Sequence, residues 1–188
     1  MIETIKYAEY EWFLWLNSIH SPTWDVIMFW VTYRFTWIPL YAYLVYYLFI
    51  KFRASFWQNL FFITLSVGLS DKITSGFMKP FFQRLRPCHD PAIQNMVHIV
   101  GNCGGEFGFA SSHAANSFAL AMSFYLLNGN KKLLFFLFLW AIIVSYSRIY
   151  VGVHFLTDIL AGALVGILIT TILFIFKINL KKRALNKF

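Results

Sequence analysis

Charge is scarce in this chain, and negative charge is scarcer still. Asp, Glu, Lys and Arg make up 13% of its 188 residues, with eight acids against 16 basic residues. A soluble domain carries about a quarter charged residues. Fully 59% of the chain is apolar and 21% aromatic, and its mean hydropathy is +0.61. The deficit of polar surface excludes an ordinary soluble fold and makes lipid the expected solvent. Cysteine is limited to Cys88 and Cys103, which allows one disulfide at most. Internal repeats, low-complexity stretches and a polar, cleavable leader are also missing, so the apolar helices themselves are expected to direct insertion.

The excess of positive charge, +8 overall, is not gathered into an aromatic-interleaved patch, so nucleic acid is not the expected partner. Nine of the 16 basic residues instead fall between or after apolar runs: Lys51 and Arg53, Lys131 and Lys132, then Lys177, Lys181, Lys182, Arg183 and Lys187. These are alternate connections of an up-and-down bundle, and the positive-inside rule assigns them to the cytoplasm. The expected fold is all-α, a single integral membrane bundle of five to six transmembrane helices over residues 1–188. Residues 1–20 read as an amphipathic helix in the membrane interface, 79–110 as one long outer loop, and 177–188 as a basic cytoplasmic tail. Spans are expected over 56–78, 111–127, 133–146 and 155–176, with Asn128-Gly129-Asn130 as a tight turn. Residues 21–50, interrupted by Arg34 and Pro39, read either as one long tilted span or as a short helix, a turn and a span.

This layout carries three distant segments to the face opposite the basic connections. The long loop opens with KPFFQRLRP, containing Lys79, Arg84 and Arg86, and closes with ASSHAANS, containing Ser111, Ser112 and His113. The third segment, SRIYVGVHFLTD, supplies Arg148, His154 and Asp158. Ionisable groups at such depth are expensive and mark function. Cations, a hydroxyl and helix N-terminal amides are what a phosphate group requires. His154 and Asp158 lie four residues apart on one helix face. The carboxylate can therefore fix one ring nitrogen as N–H and free the lone pair of the other for attack. His113 is then the candidate proton donor to a departing oxygen.

Together these segments resemble the signature of the type 2 phosphatidic acid phosphatase and vanadium haloperoxidase superfamily. The first element, Lys, six residues, Arg-Pro, is complete in Lys79 through Arg86-Pro87. The third, Ser-Arg, five residues, His, three residues, Asp, is complete in Ser147-Arg148 through His154 to Asp158. The second, Pro-Ser-Gly-His, reads Ala110-Ser111-Ser112-His113 here, so the side chain of Ser112 must turn away from the anion or join its contacts. The resemblance implies a metal-independent, cofactor-free phosphatase. In it His154 forms a phosphohistidine, Asp158 orients His154, and His113 shuttles the proton. Lys79, Arg86, Ser111, the backbone of Ser112 and Arg148 hold the phosphate.

A lipid phosphate in the bilayer is the expected substrate, with undecaprenyl pyrophosphate ranked ahead of phosphatidylglycerophosphate, phosphatidic acid and lipid A phosphates. The site is expected on the periplasmic face of a bacterial inner membrane. A vanadium haloperoxidase and a silent lipid-phosphate binder or transporter are the alternatives; membrane spans oppose the first and the intact His113, His154 and Asp158 set opposes the second. Arg84 and Arg34 read as interfacial cations, Asp71 as a structural ion pair with Lys72 or a site arginine, and Glu106 as a solvated loop carboxylate. His20, His89 and His98 show no compact ligand spacing, so no metal is assigned to them. Cys88 and Cys103, both in the outer loop, are expected to pair.

Overall fold

The computed structural model describes residues 2–185, so Met1 and the end of the basic tail, including Lys187, lie outside the described residues. Helix α1 (Ile2–Ser18) leads to α2 (Pro22–Thr32), which Ser21 caps by accepting a hydrogen bond from the Trp24 amide. A 3-10 turn at Arg34–Trp37 then resets the direction, and α3 (Ile38–Lys51) begins with Pro39 in its first turn, where a missing N–H costs nothing. Residues 21–50 form the short helix and turn of the second reading, followed by the 14-residue α3 in place of one long tilted helix.

Helix α4 (Phe56–Asp71) continues through a π-helical turn, Lys72–Met78, into the single turn α5 (Lys79–Phe82), which stops at Gln83 in the left-handed region with φ 46°. Residues 79–82 are thus helical, and the long connection starts at Gln83. Helix α6 (Ser112–Asn128) ends at Gly129, φ 63°, and Asn130 caps α7 (Lys131–Tyr150) through the amides of Lys132 and Leu133. Helix α8 (Leu156–Leu185) completes the chain. Among the described residues the β content is one isolated bridge, Leu85 with Phe107.

The bundle is organised around α6, which packs against α4, α7 and α8. Its contact with α8 is backbone to backbone. A side chain at Gly162 would run into the carbonyl of Ser111, and one at Gly166 into that of Ala115. The facing Ala114, Ala115 and Ala119 are fully buried. Small residues one turn apart allow this approach, the packing device available when lipid removes the hydrophobic drive between helices. The opposite stripe of α8, with Leu160, Leu164, Leu168 and Ile172, is exposed, as a lipid-facing surface is. At the far end from the motifs, Asn128 donates to the Tyr47 hydroxyl and Lys177 donates to Asn59, which ties α6 to α3 and α8 to α4.

By length and composition, α7 and α8 are each able to cross a membrane. Arg34–Lys51 and Arg53–Phe82 meet the same test only as a pair bent by 109°. That gives two or three candidate spans where the sequence reading expects five to six. The 3-10 turn leaves α3 with 14 residues, and α6 has 17 with several polar groups at its start, short of the roughly 20 apolar residues of a straight crossing.

The long connection is closed on itself. Arg86 donates its amide to the Glu106 carbonyl at 3.0 Å, Gly108 to the Arg84 carbonyl at 2.8 Å, and Cys88 is bonded to Cys103 across 15 residues. A closed loop of that size is worth about 3 kcal/mol through the unfolded chain. Intact-mass analysis after alkylation should show both cysteines protected until a reductant is added. The Cys88→Ser, Cys103→Ser double variant should unfold at a lower temperature than the parent.

Candidate functional site

Three helix ends and the closed loop deliver the motif residues to one place. The π turn sets the register with which α4 delivers Lys79; single π turns inside α-helices recur at functional sites. Arg86 is held in the loop by two carbonyls, Nε donating to Phe107 at 3.2 Å and Nη1 to Cys103 at 2.9 Å. Arg148, in the last turn of α7, donates Nη1 to the hydroxyl of Thr32 at the end of α2. Lys79, Arg86, Arg148, His113 and His154 all lie within reach of one another's charge.

His154 sits in the connection between α7 and α8, 1% exposed, with Nδ1 3.2 Å from Oδ2 of the fully buried Asp158. The same Oδ2 accepts the Phe155 amide at 3.0 Å, and Oδ1 accepts Nη1 of Arg84 at 2.9 Å. Gly152, φ 81°, makes the turn before His154; a side chain there would strike the His98 carbonyl. Gly108 covers the pair from the other side, and a Cβ on it would stand 3.0 Å from Asp158 Oδ2. Burial, then the charges of Arg148, Arg86, Lys79 and Arg84, holds the His154 imidazole well below its ordinary range. The neutral ring is thereby favoured, and in the tautomer with Nδ1–H toward Asp158 the Nε2 lone pair is available for bonding.

Ser111 precedes α6 without capping it by its side chain. Its Oγ is buried and unpartnered, and its amide donates to the Asp158 carbonyl at 2.9 Å. The Nε of Arg148 is likewise buried without a partner. Buried donors of this kind are rare in folded proteins, and two at one site call for an acceptor. The first amides of α6 add further donors with no partner inside the helix. Ser112, which replaces the motif's glycine, accepts a hydrogen bond from Thr74 Oγ1 at 3.0 Å, so its side chain is tied back to the π turn and its backbone is left for a ligand. The arrangement can bind a tetrahedral oxyanion beside His154.

Other residues fall differently from their sequence reading. Arg84 is not an interfacial cation: it bonds Asp158, Thr157 and Glu9 and lies 4.4 Å over the ring of Phe155. Asp71 makes no ion pair among the described residues; its Oδ1 accepts Nδ2 of Asn116 at 2.9 Å. That bond fixes the amide so that Asn116 Oδ1 is buried with no partner. Spacing gave no hint of Asn116, although it lies one turn beyond His113. Arg34 lines the rim of a cavity, and Glu106 is exposed as expected. His20 and His98 do meet, with rings stacked at 3.7 Å and 3°, while His98 Nε2 lies 2.9 Å from Asp25. Ligand atoms of His20, Asp25 and His98 lie within 4.8 Å of one another, a grouping that the sequence spacing did not show.

From His113 and Ser112 a cavity of about 620 Å³ runs between α3, α4 and α6. Leu44, Leu48, Leu60, Ile63 and Phe124 give it apolar walls, and Asp71, Ser112, His113 and Asn116 give it a polar portion. An oxyanion that mimics phosphate should lodge among Lys79, Arg86, Arg148 and His154. Orthovanadate should raise the melting temperature of the detergent-solubilised protein, by about 2.7 kcal/mol of stabilisation at 100 times its Kd. Arg148→Gln should lose most of that shift.

Comparison with known proteins agrees with this geometry. The model of the PAP2 superfamily matches residues 56–182. Lipid A 4'-phosphatase of Bacteroides thetaiotaomicron is 38% identical over 172 residues, covering 88% of this chain and 75% of that protein. Lipid A 4'-phosphatase of Porphyromonas gingivalis is 35% identical over 187 residues, covering 97% and 78%. Among solved structures, a transmembrane PAP2-type phosphatidylglycerolphosphate phosphatase from Bacillus subtilis has the same fold, with a TM-score of 0.72 at 21% identity over 94% of this chain and 87% of that one. With three motif segments folded around one buried imidazole and this breadth of similarity, the chain belongs to the PAP2 superfamily, as one of its membrane lipid phosphatases.

Proposed function

We propose that this enzyme removes a phosphate monoester from a glycolipid of the lipid A type through a phosphohistidine on His154. One observation carries the reaction: two unpartnered buried donors, Ser111 Oγ and Arg148 Nε, flank an imidazole whose Nδ1 is committed to Asp158. Phosphate oxygens satisfy the donors, with Lys79, Arg86 and the amide of Ser112 completing the cradle. Nε2 of His154 attacks phosphorus in line as the bond to the lipid oxygen breaks, and His113 gives that oxygen its proton. His113 then takes a proton from water as the water oxygen attacks the phosphohistidine, which frees phosphate and restores His154. The fixed cations neutralise the equatorial charge, the role that metal ions fill in other phosphoryl transfers.

The lipid assignment rests on the cavity, whose apolar walls suit acyl chains. The lipid A type is favoured over undecaprenyl pyrophosphate on two grounds. The two relatives described above are lipid A 4'-phosphatases, and Asp71 and Asn116 offer acceptors beside His113 that an O–H or N–H of a sugar can meet and a prenyl chain cannot. We further read α3, α4 to α5, α6, α7 and α8 as five crossings, with α1 and α2 in the outer interface. The basic connections then face the cytoplasm and the site faces the periplasm of a bacterial inner membrane.

Phosphate release should be measured from a panel of lipid A, phosphatidylglycerophosphate, phosphatidic acid and undecaprenyl pyrophosphate in mixed micelles. Lipid A should be the fastest substrate, and His154→Ala should reduce release to background. Radiolabelled phosphate should be trapped on the parent protein and not on the variant. Activity should persist in EDTA; its collapse would contradict the fixed-cation mechanism. Asn116→Leu should narrow the preference for lipid A over phosphatidic acid while both are still hydrolysed.

A further inference from the structure

Outside the cradle, one cluster of charged groups has no part in the steps above. Glu9, on α1, accepts Nη2 of Arg84 on Oε2 and the hydroxyl of Thr157 on Oε1. Arg84 Nη1 donates both to Thr157 Oγ1, at 2.6 Å, and to Asp158 Oδ1, at 2.9 Å. The Glu9 side chain is 15% exposed and Arg84 27%, whereas Asp158 is fully buried. The three groups form a closed ring that presses on the carboxylate orienting His154.

The ring has a charge consequence as well as a geometric one. An arginine bonded to Asp158 draws on the negative charge that Asp158 must lend to the imidazole N–H. A second carboxylate on the far side of the guanidinium offsets that draw. It also holds Arg84 back from a bound phosphate, since three of its five N–H donors bond Glu9, Thr157 and Asp158 while its plane rests on Phe155. The placement of α1 makes this possible. Tyr10 and Phe13 pack on Phe155, with ring centroids 5.8 and 5.3 Å away, and Tyr10 donates to Asp90 at 2.6 Å. Asn17 donates to the carbonyls of Ile149 and Tyr150 at 3.1 and 2.8 Å. The helix is thus fixed at both ends of the segment that carries Glu9's partners.

We propose that Glu9 and Arg84 are positioning residues for the reaction, so that α1 is a working wall of the active site: Glu9, acting through Arg84 and Thr157, fixes the geometry and charge of Asp158 and thereby of His154. This rests on the phosphohistidine reading of His154 and adds to it a role for a helix that contains none of the three motifs.

The test compares the parent, His154→Ala, Glu9→Gln, Glu9→Asp, Arg84→Met, Arg84→Lys and the Glu9→Gln, Arg84→Met double variant in phosphate release from lipid A. Glu9→Gln should lower kcat by about 10-fold, the lower end of losses at groups that orient a reacting ligand, with KM and the vanadate-induced melting shift unchanged. A fold defect would remove that shift, so its retention separates positioning from collapse. Arg84→Met should lower kcat further, and the double variant should lose no more than Arg84→Met alone, because Arg84 is the member of the ring that bonds Asp158. Glu9→Asp should recover part of the loss. Arg84→Lys should not, because an ammonium lacks the fork that bridges Glu9 and Asp158. Unchanged kcat in Glu9→Gln, a loss confined to KM, or losses that multiply in the double variant would each overturn the proposal. Full activity in His154→Ala would overturn the catalytic reading and this proposal with it; background activity in His154→Ala with a normal Glu9→Gln would overturn this proposal alone.

Discussion

Several cations held around one buried imidazole repel one another, and the surrounding structure is organised to keep them there. Lys79, Arg86 and Arg148 surround His154, and the buried acid among them is Asp158. Each cation needs its own restraint. Arg86 is gripped by carbonyls of a loop closed through Cys88–Cys103, Arg148 by Thr32 on α2, and Lys79 by a π turn that fixes its direction. Without an anion the arrangement stores repulsion, and Ser111 Oγ and Arg148 Nε stay buried without partners. On the reading proposed above, a phosphate would relieve both costs at once, so its affinity would draw on a cost already met in folding.

The restraint extends to the bundle. Ser111 donates its amide to the carbonyl of Asp158, and the next turns of α6 and α8 are brought into register by Gly162 and Gly166 against Ser111 and Ala115. The unpartnered hydroxyl of Ser111 and the carboxylate paired with His154 therefore belong to one rigid contact. A helix pair separated by ordinary side chains would leave their relative position to softer packing.

The sequence made legible whatever is local or periodic. The pairing of His154 with Asp158, the turn at Asn128 to Asn130 and the apolar courses of α7 and α8 were readable from spacing, although His154 lies in the connection before α8 and not on a shared helix face. The alternation of basic connections showed that three separated motifs share a face. Residues whose partners lie far along the chain were not readable. Arg84 resembles an interfacial cation until Asp158, 74 residues later, is placed beside it, and Glu9 meets Thr157 only across 148 residues. The amphipathic pattern of α1 reports that one face is exposed, with Trp12 and Trp15, but does not say what the other face touches. Hydropathy does not register the 3-10 turn before α3, which is why it left two readings open for residues 21–50. The substitution at Ser112 could be judged only once Thr74 was seen to hold its hydroxyl.

The position of α1 also bears on how the protein comes into being. Every tertiary partner described for its side chains lies at Arg84 or beyond, and most lie between Ile149 and Ile159. The contacts of α1 are therefore complete only once the connection between α7 and α8 is in place beside it. Contacts this distant along the chain form late, so α1 and that connection are expected to order together.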